Sequence, residues 1–381
     1  MSGPALGSLC DVLPAAAALL GVPDAVDRLG VTESVAEQVD RVAVVLVDGL
    51  GWHLLPELAG SAPLLASVLA GGAGRMTQLT CTFPSTTPSS LVSLGTGAQP
   101  GEHGILGFTL NVPGTDRVLT HIYWRSDSPW APPPAQWQPL PTWFGRLQRC
   151  GVGARAVLPA LFMGSGLTDA AYRGADFRPS NPDDDYAQLV IDELRAAPGL
   201  VYGYTADLDT AAHVFGIGSP HWHAAAARVD ALLTRLLDAL PAHAALLVTA
   251  DHGGLNVAPQ ARVDLDTDAR LSAGIRVVAG EPRVRYLHTE PGAAVDVQAT
   301  WSALLDGRAR VYSRDQAVAT GMFGPVDPGH LARIGDVVVI CTGDTAVLAT
   351  KREPPEAARL IGFHGGASAA EMAIPLIVFA A

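Results

Sequence analysis

Charge is scarce in this sequence, and basic charge especially so. Only 16% of the 381 residues are charged, Asp and Glu outnumber Lys and Arg by 37 to 25, and the formal net charge is −12. Binding along a nucleic-acid backbone needs clustered cations, so no nucleic-acid-binding surface is expected. A small phosphate ester held by metal ions remains allowed. Cysteine is just as sparse: Cys10, Cys81, Cys150 and Cys341 stand apart, with no Cys-x-x-Cys pair. That spacing excludes a disulfide framework and a thiolate zinc site, and suits a reducing, cytoplasmic setting. Long apolar runs are missing as well. The stretch Leu13 to Val22 has no preceding Lys or Arg, is flanked by Asp11 and Asp24, and contains Pro14. It reads as a short helix rather than a signal peptide, and nothing reaches the roughly 18 apolar residues of a membrane span. No internal repeat is present.

What is present is a large apolar fraction, 49%, arranged in short β-rich runs. Arg41 to Asp48 is a continuous β-branched run ending in Asp48-Gly49, as expected of a strand buried on both faces of a parallel sheet. Similar strands are expected at 153–158, 200–205, 245–250 and 373–380, with helices at 142–150, 183–197 and 219–239. This rhythm predicts an α/β fold with a doubly wound, mostly parallel sheet. Between 271 and 350 the pattern changes to short strands at 284–287, 311–312, 337–341 and 346–349 around a helix at 293–305. That stretch is expected to be an inserted α+β cap, with 1–270 and 351–381 forming the core. The Pro- and Trp-rich segment from Thr109 to Trp143, including Trp124, reads equally as a substrate wall or as a cover over the sheet.

The ends of the expected strands carry the chemistry. Asp48, Asp209 with His213, Asp251 with His252, and His364 each follow an apolar run, where open α/β sheets bind ligands. Each alone reads as a turn or loop residue. Together, mixed carboxylate and imidazole donors without thiolates suit two zinc ions, with manganese or iron as alternatives. A hydroxyl-rich turn around Phe83-Pro84 runs into an amphipathic stretch from Ser89 to Thr96-Gly97. This places Ser and Thr hydroxyls at a helix N-terminus, which serves either as a plain cap or as a nucleophile site favouring anions. His221 and His223 lie two apart at a helix start and so do not share a face, which reads as surface or supporting histidines.

As an ordered set, Asp48, Thr87, Thr96-Gly97, His103-Gly104-Ile105, Asp209-x-x-x-His213, Asp251-His252-Gly253 and Phe363-His364-Gly365 resemble the alkaline phosphatase superfamily. Within it they resemble the type I phosphodiesterases and nucleotide pyrophosphatases, from about residue 42 to 380. The resemblance implies hydrolysis of phosphodiester or pyrophosphate substrates at a two-zinc site through a phosphothreonine intermediate. Carried over, Asp209, His213 and His364 would hold one zinc, and Asp48, Asp251 and His252 the other. Thr82-Phe83-Pro84 looks like part of the family's nucleophile string. Family spacing instead favours Thr87, which lies nine residues before Thr96 and sixteen before His103, with Thr86 and then Thr82 as alternatives.

The family's phosphate-binding Asn falls on Phe108, which has no side-chain donor, and nearby Asn111 is the candidate replacement. Trp124 is a further substrate-binding candidate. A phosphomonoesterase would want an Arg near the nucleophile, and none occurs between Arg75 and Arg117, leaving only a distant Arg125 or Arg155 to fold in. A phosphatase, a phosphonate hydrolase, and an inactive zinc-stabilised nucleotide-binding protein are the competing readings.

Overall fold

A computed structural model describes residues 6–35, 38–125 and 127–380. Its centre is an eight-stranded sheet, ordered across its width as Gly7–Ser8, Arg75–Thr80, Ala373–Ala380, Ala244–Thr249, Arg41–Val47, Gly199–Thr205, Ala154–Pro159 and Asp176–Ser180. Arg41–Val47 pairs in parallel with Ala244–Thr249 on one side and Gly199–Thr205 on the other. All but Arg41 in that strand are buried, which is why the run carries no alternation. The final strand, Ala373–Ala380, is antiparallel to both of its neighbours. The architecture is therefore mixed α/β with a large, mostly parallel sheet.

Helices cover the sheet through apolar stripes. Tyr186–Ala196 buries Ala187, Val190, Ile191 and Leu194, the spacing of one helix face, and Asp185 caps its N-terminus through Gln188 N–H. The helix expected from residue 183 thus begins at Tyr186, with Asp183 to Asp185 ahead of it. Pro220–Asp238 is capped by Ser219 and buries Trp222, Ala225, Ala226, Val229 and Leu233.

A second, four-stranded antiparallel sheet orders Ile275–Glu281, Val284–Thr289, Val337–Cys341 and Ala309–Ser313. It packs on Ala294–Leu304 through a separate apolar cluster containing Leu271, Leu287, Val297, Trp301 and Val339. The Pro- and Trp-rich segment forms a hairpin, Thr109–Asn111 with Val118–Thr120, and then lies over the main core with Trp124, Trp137 and Trp143 buried. No helix among the described residues is long and apolar enough to cross a membrane.

Candidate active site

The three central parallel strands end side by side, Val47 opposite Thr205 and Leu46 opposite Thr249. Register alone therefore brings Asp48 beside the turns after Gly199–Thr205 and Ala244–Thr249. Asp48 leaves its strand at a Gly49 with φ +74°, where an added Cβ would lie 2.9 Å from Cβ of Asp209. Glycine is needed at this close approach. Asp251 turns back to accept from Gly49 N–H at 3.2 Å and His252 N–H at 3.1 Å.

Asp209 and His213 do not sit in a loop after the strand. They lie one turn apart on the helix Asp207–Phe215, which is why their side chains meet, Oδ2 to Nε2 at 3.1 Å. His213 Nδ1 is held by Gly362 O at 2.8 Å, and its Nε2 lies 3.1 Å from Nε2 of His364. His364 follows the short Gly362–Phe363 strand, with its Nδ1 2.9 Å from Ser85 O. His364 and His252 stack with ring centroids 3.6 Å apart.

The helix beside them spans Thr87–Thr96, starting two residues before the amphipathic stretch suggested because Pro88 is tolerated in a first turn. Thr86 is its N-cap, and Gly97 ends it in the left-handed conformation. Thr87 Oγ1 lies 3.1 Å from His252 Nε2. Thr86 is buried, and its hydroxyl has no hydrogen-bond partner among the described residues. Thr82 is engaged elsewhere, in a buried chain from its Oγ1 to Ser93 Oγ at 3.0 Å and on to His103 Nε2 at 2.9 Å.

One ring nitrogen is thus surrounded by three oxygens: around His252 Nε2 lie Thr87 Oγ1 at 3.1 Å, Asp251 Oδ2 at 3.3 Å and Asp48 Oδ1 at 3.4 Å. Burial, then the neighbouring Asp251 and Asp209, raises the Asp48 carboxyl well above the usual carboxylate range. Burial and the nearby Asp209 push Asp251 up to about 6. Burial opposes ionisation of Asp209 as well, yet the facing His213, with His364 beyond it, holds that carboxyl low. The same ion pair overcomes burial to lift His213 to about 9. Burial and the His252 ring bring His364 down to about 3, leaving it neutral with a lone pair at neutral pH.

The buried carboxyls of Asp48 and Asp251 repel each other when both are ionised, unless a cation intervenes. Among the described residues, buried Asp48 Oδ1 and Asp251 Oδ2 accept no hydrogen bond. Two sets of donor atoms close enough for one ion occur, Asp209 with His213 and His364, and Asp48 with Asp209 and His252. Asp209 reaches both. Orphaned oxygens and an all-oxygen-and-nitrogen donor set fit divalent metals.

Other candidates fall outside this cluster. Both N–H groups of Asn111 are committed within its own hairpin, to Thr115 O at 2.9 Å and Arg117 O at 3.2 Å, so it does not stand in for the missing phosphate donor. Trp124 is buried with its indole N–H on Pro132 O, a cover residue rather than an exposed stacking surface. Phe108 presents backbone to the region, its N–H against Glu281. His223 meets Ser61 Oγ at 3.1 Å and His221 stacks on Phe215, away from the cluster.

Three contributors carried no sequence signal. The Tyr204 hydroxyl donates to Asp48 Oδ2 from a strand buried on both faces, where no alternation marks which side chains point at the site. Ser85 ties the turn before Thr87 to the His364 loop: its Oγ donates to Gly366 O at 2.7 Å and accepts from Gly365 N–H at 3.1 Å. Glu281 arrives from the second sheet, 3.9 Å from His364 Nδ1.

The family model described as "Type I phosphodiesterase / nucleotide pyrophosphatase" matches residues 42–367. No curated protein matches the chain in sequence. Among solved structures, murine ectonucleotide pyrophosphatase / phosphodiesterase 5 superposes with a TM-score of 0.71 at 19% identity, covering 90% of this chain and 88% of that one. The human protein of the same name gives 0.69 at 18%, covering 89% and 88%. Phosphonoacetate hydrolase from Sinorhizobium meliloti, in complex with phosphonoformate, gives 0.66 at 20%, covering 89% of each chain.

Proposed function

Since the chain belongs to the type I phosphodiesterase / nucleotide pyrophosphatase family, a family of hydrolases acting on phosphoric esters, we propose that it cleaves phosphodiester or pyrophosphate bonds with Thr87 as nucleophile. The observation that carries this is the meeting of Thr87 Oγ1, Asp48 Oδ1 and Asp251 Oδ2 around His252 Nε2 at 3.1 to 3.4 Å. Asp48, Asp251 and His252 would hold one zinc, and Asp209, His213 and His364 a second. When bound, such ions lower the pKa of a coordinated hydroxyl and neutralise charge on the phosphoryl oxygens and leaving group.

The protein's own groups supply the rest. Thr87 begins a ten-residue helix, whose positive end faces the incoming phosphate. Its oxygen forms a bond to phosphorus as the ester bond to the leaving alkoxide breaks. Water then cleaves the phosphothreonine and returns the hydroxyl. Tyr204 steadies Asp48, and Gly362 O and Ser85 O orient the rings of His213 and His364. Phe162, 6.1 Å from the Tyr204 ring, and exposed Leu161 and Met163 beside it offer an apolar face for a leaving group.

A diester is favoured over a monoester because the distant arginines do not reach this edge. Arg155 is spent on Ala197 O and Pro198 O at the opposite end of the Gly199–Thr205 strand, and exposed Arg125 pairs with Asp127. Residues 271–350 are read as a cap, and the four unpaired thiols fit a reducing, cytoplasmic site of action. The test is zinc-loaded protein on bis-p-nitrophenyl phosphate beside p-nitrophenyl phosphate, with Thr87→Ala as control. Faster, Thr87-dependent turnover of the diester is expected. Preference for the monoester would reassign the protein as a phosphatase, and turnover untouched by Thr87→Ala would remove Thr87 as nucleophile.

A further inference from the structure

The second sheet sends one hairpin turn, Glu281-Pro282-Arg283, into the base of the active site, where both charged side chains are buried. Arg283 makes a two-pronged pair with Glu371, Nε to Oε1 at 2.9 Å and Nη2 to Oε2 at 2.8 Å, while Nη1 donates to Thr345 O. Glu371 in turn accepts from Gly366 N–H at 2.8 Å and from Ser368 Oγ at 2.6 Å. The guanidinium therefore reaches, through one carboxylate, the backbone two residues past His364.

Glu281 meets the same loop from its other side. An added Cβ on Gly365, whose φ is +116°, would lie 2.5 Å from Cδ of Glu281, so carboxyl and glycine backbone are in direct contact. Glu281 Oε2 also lies 3.9 Å from His364 Nδ1. Loop 364–366 is thus held between Glu281 and the Glu371–Arg283 pair, while Ser85 binds it to the turn that carries Thr87. Volume alone does not account for such an arrangement. An apolar pair would fill the space without desolvating two ions, whereas a two-pronged ion pair fixes position and direction.

We propose that Glu281 and Arg283 are positioning residues through which the second sheet sets the placement of His364 relative to Thr87, and so the occupancy of the metal cluster formed by Asp209, His213 and His364. This rests on the two-metal reading above. It makes the second sheet part of the catalytic apparatus, though no atom of that sheet need touch the reacting phosphate.

The test measures zinc stoichiometry and affinity by competition with a chromophoric chelator on the full chain, alongside kcat, KM and thermal midpoint. Glu281→Ala is expected to keep two sites but weaken one by about 10–100-fold, the usual effect of losing a group that orients a ligand. Its kcat should fall at limiting zinc, recover in excess zinc, and leave KM little changed. Glu281→Gln, which keeps the shape, should restore most of the affinity. Arg283→Met should act in the same direction. Arg283→Lys, which keeps the charge but loses the fork, should fall between Arg283→Met and wild type. Wild-type protein with two zincs and Glu281→Ala protein with unchanged affinities would overturn this inference alone. Equal weakening of both sites in step with a lower thermal midpoint would also overturn it, by reducing the role to general stability. Wild-type protein that takes up no zinc would overturn the two-metal reading first.

Discussion

The two halves of the candidate metal site are built from the same residue types and behave differently. Asp209 and His213 stand partly open, with side chains 16% and 24% exposed, and satisfy each other as an ion pair. Asp48, Asp251 and His252 have side chains 4% exposed or less, and two of their oxygens accept nothing. The open half is electrostatically complete without a metal. The closed half is not, and its geometry is held by Tyr204, Gly49 and the sheet behind it. The lesson is that burial, more than ligand identity, decides which half is under strain when metal is absent.

Changing the closed half at Thr87, the proposed nucleophile, should have the largest effect. Thr87→Ala is expected to lower kcat by about 10⁴-fold or more, as loss of a covalent nucleophile does, while both metals stay bound. Zinc content measured with turnover checks this. His213→Ala, in the open half, should instead cost one equivalent of metal before it costs stability. If Thr87→Ala released metal as readily as His213→Ala, the distinction between the halves would fail.

Next in size is the pH response of metal-free protein. Asp251, raised from 3.8 to about 6, holds its proton better when folded than when unfolded. Stability is therefore greatest below the unfolded value and is lost as pH rises from about 4 to 6, by about 3 kcal/mol at most. His213, raised from 6.5 to about 9, contributes stability that is fully present below 6.5 and lost as pH climbs to 9. Denaturant unfolding across pH 4.5 to 9 should show these two losses, one from each half. Asp251→Asn should reduce the acidic one, to which the raised Asp48 carboxyl also contributes, and stabilise the metal-free protein at pH 7. A flat profile would mean that the closed half is not strained.

The smallest effect is expected from Tyr204→Phe. It removes one hydrogen bond to Asp48 and should weaken the closed-half metal by about tenfold, with about 1 kcal/mol of stability lost. Calorimetry of zinc binding separates this from the open half, which should be unaffected.

These halves were unequally legible in the sequence. Asp48 and Asp251-His252 terminate apolar runs that can only be buried parallel strands, so their convergence followed from topology. The four-residue step from Asp209 to His213 is visible, but the helix Asp207–Phe215 that makes it productive is not, because residues just after an apolar run read as a turn or loop. Arg75–Thr80, next to one edge of the sheet, and the edge strand Asp176–Ser180 carry no sequence signal, since half-exposed strands have no apolar run. Asn111 misled because its amide is claimed by hairpin register, which composition does not encode. Glu281 was invisible for a related reason. Its meaning depends on a partner sheet folding back onto a loop far along the chain, and no local spacing records that.

The join at Ser85 has a consequence for how the protein is made. His364 Nδ1 and Ser85 O are separated by 279 residues, and the strand that braces the join, Ala373–Ala380, comes later still. Closing a loop of that length costs entropy that only late contacts repay. During synthesis, the acidic ends of the three central strands emerge without the histidine that completes their set. On the proposed two-metal reading, metal capture would therefore mark the finish of folding, and a nascent chain interrupted before residue 364 would carry Thr87 without the complete set of Asp209, His213 and His364.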